Sequence, residues 1–187
     1  MLLATTKLEA VNILLSAIGA DPVDSLDTEI DVDVANAVRM LDTTSRNVQR
    51  KGWDFNRGTY TFTPDANTHR IRWDNTIISY QFYGGLYAIR DDYLYDMTGQ
   101  TFEFPGPVSC TVTVALDFDE LPDCFRNYIA LKAALDFQMQ YLADGNVSAV
   151  LQSQVAEAQS DLVDYDLHMG DYNMLQLTNI AHVLERK

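Results

Sequence analysis

The hydrophobic period of this chain changes twice, and those changes limit what it can fold into. Up to about Lys51 apolar residues recur at helical spacing, from Thr59 they alternate, and helical spacing returns at "ELPDCFRNYIALKAALDFQMQYLAD". A chain that buries a stripe at period 3.6 on either side of a stretch that buries alternate residues must combine helices with a sheet. The first change falls within "RKGWDFNRGTYTFTPD", residues 50–65. Gly52 is suited to the left-handed position after a helix, and Trp53 and Phe55 are expected to fill the corner as core side chains. Tyr60 and Phe62 then begin the inward face of a strand. Gly52, Trp53, Phe55, Tyr60 and Phe62 are thus the candidate structural junction between the helices and the sheet.

Helix signals are local and explicit. Thr6-Lys7-Leu8-Glu9 has capping-box spacing, followed by Leu8, Val11, Leu14, Leu15 and Ile18 on one face, with Gly19 and Asp21-Pro22 as the stop. A second helix is expected from about Asp31 to Lys51, carrying Val34, Val38, Leu41, Ser45 and Val48 on its stripe. Pro122 and the acids around it suit the start of a third, which Gly145 is expected to end. Asn146 is expected to cap a fourth, with Val147, Val150, Leu151, Val155, Ala158, Leu162 and Tyr165 as its apolar face. The short link between the last two predicts antiparallel packing. Beyond Gly170, Met174, Leu177, Ile180 and Leu184 fit a short amphipathic helix after an Asn173 or Thr178 cap, a candidate partner or subunit interface.

The middle section reads as strand pieces at Thr59–Thr63, His69–Trp73, Leu86–Arg90, Thr101–Phe104 and Val108–Phe118, separated by Gly, Pro and Asn turns. The aromatic stretch from about Asp74 to Tyr83 reads as a long loop. The expected organisation is α+β: an antiparallel bundle of about four helices plus a short C-terminal helix, with a small antiparallel sheet inserted between the N- and C-terminal helical pairs. Residues 1–52 and 119–168 form the bundle, 53–118 the β-rich region and 169–187 a C-terminal arm, all in one chain unit.

Chemistry is sparse. No phosphate loop, dinucleotide fingerprint, nucleophile elbow or H-E-x-x-H motif occurs, and "DTEIDVDV" lacks the central glycine and closing glutamate of a calcium loop. Cys110 and Cys124 are expected as free thiols, and His69, His168 and His182 lack ligand spacing, so neither metal nor cofactor is expected. The acids Asp117, Asp119 and Glu120 precede a helix, where its dipole alone favours them. A formal charge of −14 opposes ordinary binding to nucleic-acid phosphates. No apolar run is long enough for a membrane span, and the opening residues lack a cleavage-type signal, so a cytoplasmic protein without membrane contact is expected.

Four segments, in order, carry a resemblance: "LEAVNILLSAIGADPVDSLD", "LDTTSRNVQRKGWDFNRGTYTFTPD", "LYDMTGQTFEFPGPV" and "LDFDELPDCFRNYIALKAALDFQ". Together with "GGLYAIRDDYLYD", they make the chain resemble the tail tubular protein A family, the head-to-tail adaptors of short-tailed podophages of the autographivirus kind. That resemblance implies a virion structural protein with no catalytic step, assembled in the host cytoplasm and resident in the tail. It also implies a ring of twelve copies below the portal protein, meeting the nozzle of tail tubular protein B and carrying the tail fibre protein. DNA would pass through its channel without specific binding. The rival reading, a tail-associated polysaccharide hydrolase, takes Trp53 and Trp73 with nearby carboxylates such as Asp91-Asp92 as a sugar platform.

Overall fold

The structure is a computed structural model and describes residues 5–26 and 32–174. These divide into two compact units, one from the chain up to Val48 and from Asp117 onward, the other Gln49–Leu116. The architecture is α+β, with a helical unit and a unit of small antiparallel sheets.

In the helical unit, α1 (Lys7–Ala17) begins at a complete capping box: Thr6 Oγ1 accepts from the Glu9 N–H, and the Glu9 carboxylate accepts from the Thr6 N–H at 2.8 Å. It ends with Gly19 at φ +75°, where the Ala20 N–H reaches the Leu15 carbonyl and the Gly19 N–H the Ser16 carbonyl. Those two bonds satisfy carbonyls that the helix end would otherwise orphan. The loop that follows is held by Asn12, whose amide both donates to the Val23 carbonyl and accepts from the Val23 N–H. Next comes α2 (Val32–Gln49), which buries Val34, Ala37, Leu41 and Val48. It is linked to α1 by a Lys7–Asp42 ion pair at 2.8 Å.

After a 3₁₀ turn at Phe118–Glu120, α3 (Asp123–Tyr141) packs against α1 and against α4 (Gly145–Met174). α3 and α4 run antiparallel: Phe125, near the start of α3, meets Tyr165 late in α4, while Gln138, near its end, meets Ser148 early in α4. The turn between them differs from expectation. Ala143, not a glycine, takes the left-handed conformation at φ +52°, and Asp144, not Asn146, caps α4 through the Asn146 and Val147 N–H groups. The fully buried Gln138 holds that turn by donating to the Asp144 carbonyl and accepting from the Ser148 hydroxyl. α4 also continues through Gly170 and Asn173 to Met174, so Asn173 does not cap a separate helix. Leu177, Thr178, Ile180 and Leu184 lie outside the described residues.

In the second unit, β1 (Arg57–Phe62), β2 (Ile77–Phe82) and β5 (Val108–Val114) form one antiparallel sheet with β5 in the centre. β3 (Tyr87–Arg90) and β4 (Tyr93–Asp96) form a hairpin. The stretch expected as a loop therefore contains a strand, β2, while 69–73 and 101–104 form only isolated bridges, Arg70 with Glu103, Arg72 with Tyr93 and Thr101 with Asp96. Alternation sorts the residues of β5: Cys110 and Val112 are buried inward beside Ile71, Trp73, Leu94 and Phe104. Rings of Phe62, Trp73, Tyr80, Phe82, Tyr87 and Phe104 then follow one another at centroid distances of 5.0–5.8 Å. Edge and tilted geometries of this kind add to the area they bury.

Candidate functional site

The chain passes between the units on either side of Gln49 and Leu116, and two buried amides fasten those ends together. Gln49 Nε2 donates to the Leu116 carbonyl at 3.0 Å, and Gln49 Oε1 accepts from the Leu116 N–H at 2.7 Å. Asn56 Nδ2 donates to the carbonyls of Gln49 and Val114, and Asn56 Oδ1 accepts from the Trp53 N–H. Both side chains thereby answer backbone groups that burial would otherwise leave unpaired. Sequence reasoning missed this clasp, because a buried Gln or Asn looks like a surface residue until its partners, 67 and 58 positions away, are known.

The five candidate junction residues all fall within the second unit, but they do not converge as expected. Gly52 takes φ +76°, and a Cβ there would lie 3.0 Å from Thr113 Oγ1 and 3.3 Å from Arg57 Cδ. Trp53 is half-buried rather than core, with the Lys51 ammonium 5.9 Å from its ring centroid, and Phe55 is also half-buried. Tyr60 is 51% exposed. Only Phe62 of the five joins the aromatic core, 5.2 Å from Trp73. The buried tryptophan is Trp73, at 5% exposure, which removes it from any sugar platform.

Three surfaces can carry contacts. In the helical unit a groove of about 800 Å³ lies between α1, α3 and α4, lined by Ile13, Leu131, Val147, Val150 and Leu151 among others. Along α4, Val163, Leu167 and Met169 are exposed. Met174 ends this helix, so one of the four arm candidates is placed on it.

The third surface is the outward face of the three-stranded sheet. Its registers set Arg57, Thr113 and Ser79 in one row, and Thr59, Thr111 and Gln81 in the next. Thr59 and Thr111 hydroxyls are 3.2 Å apart, Thr61 and Ser109 2.8 Å, and the Tyr83 hydroxyl is 3.1 Å from Thr111. At one end a pocket of about 170 Å³ is lined by Arg50, Lys51 and Arg57 with Ser79, Gln81 and Thr113.

Among the described residues, the resolved pKa shifts fall on two turn carboxylates and two thiols. Asp65 is held below its ordinary pKa by the N–H groups of Thr68 and Asn67 and by the Thr68 hydroxyl, an arrangement that fixes a turn. Asp74 is lowered in the same way by the Thr76 N–H and hydroxyl. Burial raises both thiols, Cys110 and Cys124, away from the reactive thiolate. Among the described residues no group of His, Cys, Asp or Glu is placed to hold a metal ion, and no helix is long and apolar enough to cross a membrane.

Comparison with known proteins gives two findings. The model of the tail tubular protein family matches residues 8–172, which takes in both units. Tail tubular protein A of Klebsiella phage KP34 is 27% identical over 125 residues, covering 66% of this chain and 67% of that protein.

Proposed function

The chain belongs to the tail tubular protein family, and from that premise we propose that it is the head-to-tail adaptor of a short-tailed phage. As a family member it is a structural protein of the phage tail and not an enzyme. The finer reading is a ring of twelve copies that joins the portal protein to the nozzle, carries the tail fibre protein and leaves a channel through which DNA passes. The observation that carries it is the span of the match, 8–172, which includes the helical unit and the sheet unit together. Three further features support it. The sheet unit leaves polar side chains of one face in solvent, α4 keeps apolar side chains exposed along its length, and an apolar groove remains open beside α1. Surfaces of this kind suit a subunit that has neighbours on several sides. Host cytoplasm is the place of assembly in this reading, and the C-terminal stretch through Leu177, Ile180 and Leu184 is a further partner or subunit interface.

The test is a mass measurement on the purified protein, alone and mixed with its phage's portal protein. A ring-sized species, or a portal complex holding many copies, is the expected result, with assembly promoted by the portal if the free protein is monomeric. A protein that stays monomeric in both samples would overturn the adaptor reading.

A further inference from the structure

Charge in this chain is divided very unevenly. The segments 1–48 and 117–187 hold seven of the 13 basic and 20 of the 27 acidic residues, a net −13, whereas 49–116 holds six basic and seven acidic, a net −1. Within the near-neutral unit, three cations converge on one small pocket, formed by Arg50, Lys51 and Arg57, and none of its lining residues is acidic. The face that continues from it offers only hydroxyls and one amide, from Thr59, Thr61, Ser79, Gln81, Ser109 and Thr111. Arg50, Lys51, Arg57, Ser79 and Gln81 are all exposed. A guanidinium and hydroxyl surface without carboxylates is built to receive anionic oxygens, which guanidinium groups can hold in pairs.

The same chain supplies a matching surface. α4 carries five acidic residues and no Lys or Arg over its 30 positions. Glu157, Asp161 and Asp164 are exposed and follow one another at spacings of four and three, which places them in a sector of about 60° on the helix. Leu151, Ala158 and Leu162 occupy the buried face, so the carboxylates form a separate stripe beside it. Cations three or four residues away stabilise such acids on a helix, and α4 has no Lys or Arg at those positions.

We infer that the Arg50–Lys51–Arg57 pocket of one subunit receives the Glu157–Asp161–Asp164 stripe of the next. Pocket and stripe are different surfaces of one chain, so the contact is head-to-tail and repeats around a ring rather than closing a twofold dimer. Opposite charge at this contact also sets the register and speeds encounter. The inference rests on the ring reading and adds to it the residues that join neighbours.

The test uses charge reversal and swap. One variant carries Arg50→Glu with Arg57→Glu, the other Glu157→Lys, Asp161→Lys and Asp164→Lys, and all the altered side chains are exposed. Each variant alone should keep the wild-type melting temperature but need at least about tenfold more protein to assemble, alone or on the portal. Mixed in equal amounts they should assemble again, because an acidic pocket then meets a basic stripe in alternate positions. Wild-type rings should also weaken as salt rises. If the wild type forms rings and both variants do so equally well, the contact is wrong while the ring stands. Failure of the mixture to recover has the same meaning. A pocket variant that assembles normally but loses retention on double-stranded DNA would assign the pocket to phosphates instead. A wild type that never forms rings overturns both readings.

Discussion

At the scale of single residues, the weight of the sheet unit falls on Trp73 and not on Trp53, the tryptophan of its most conspicuous sequence feature. Trp73 is enclosed by Phe62, Tyr80 and Phe82, whereas Trp53 is half-buried under Lys51. Trp73→Ala should therefore cost about 3–5 kcal/mol, the usual loss for a large aromatic removed from a core. Trp53→Ala should cost clearly less. Gln49→Ala removes two hydrogen bonds and leaves the partly buried Leu116 N–H and carbonyl without those partners, at a cost of about 1–3 kcal/mol. Chemical unfolding monitored by circular dichroism ranks all three. If Trp53→Ala proved the most damaging, the corner would be an aromatic plug after all, and the amide clasp would be secondary.

At the scale of elements, what was legible in the sequence is what local chemistry determines. The α1 capping box needs only Thr6 and Glu9 three positions apart, and the α1 stop needs only Gly19, so both could be read from a few neighbouring residues. The apolar periods of α2, α3 and α4 were equally visible. β2 was not read as a strand although Ile78, Tyr80 and Phe82 alternate with Ser79 and Gln81, because its pairing with β5, irregular in register between Ile77 and Ser79, is made about thirty residues away. The segment 69–73 does alternate, with Ile71 and Trp73 inward, yet it meets only single bridging partners and never becomes a ladder. The basic pocket was invisible because residues near 50, 57, 80 and 112 meet only after the sheet pairs. The turn after α3 shows tertiary structure overruling local preference: Gln138 holds Ala143 left-handed, a conformation that glycine adopts without penalty. Ala143→Gly should accordingly stabilise the helical unit by up to about 1 kcal/mol, the release of left-handed strain being partly offset by a more flexible unfolded chain. A raised thermal midpoint checks this, and a lowered one would show that the alanine methyl makes a packing contribution of its own.

At the scale of the whole molecule, the proposed assembly would draw on two kinds of contact that respond oppositely to solvent. The acidic stripe and basic pocket are exposed charges, which salt screens over about 10 Å at 0.1 M and about 3 Å at 1 M. The proposed C-terminal interface has Met174, Leu177, Ile180 and Leu184 at helical spacing in its sequence, and a contact through them would be apolar and unscreened by salt. Because α4 runs to Met174, a cut at Gly170 would shorten that helix, and the informative truncation instead removes residues 175–187. That variant should melt like the full chain, since every hydrogen bond described in both units is retained. Its association with the portal or with its own copies should weaken at least about tenfold, and the deficit should persist at high salt. A deficit that vanished at high salt would assign the loss to Glu185, Arg186 and Lys187 rather than to the apolar positions. Undiminished association would remove the C-terminal stretch from the interface and leave assembly to the surfaces of the two units.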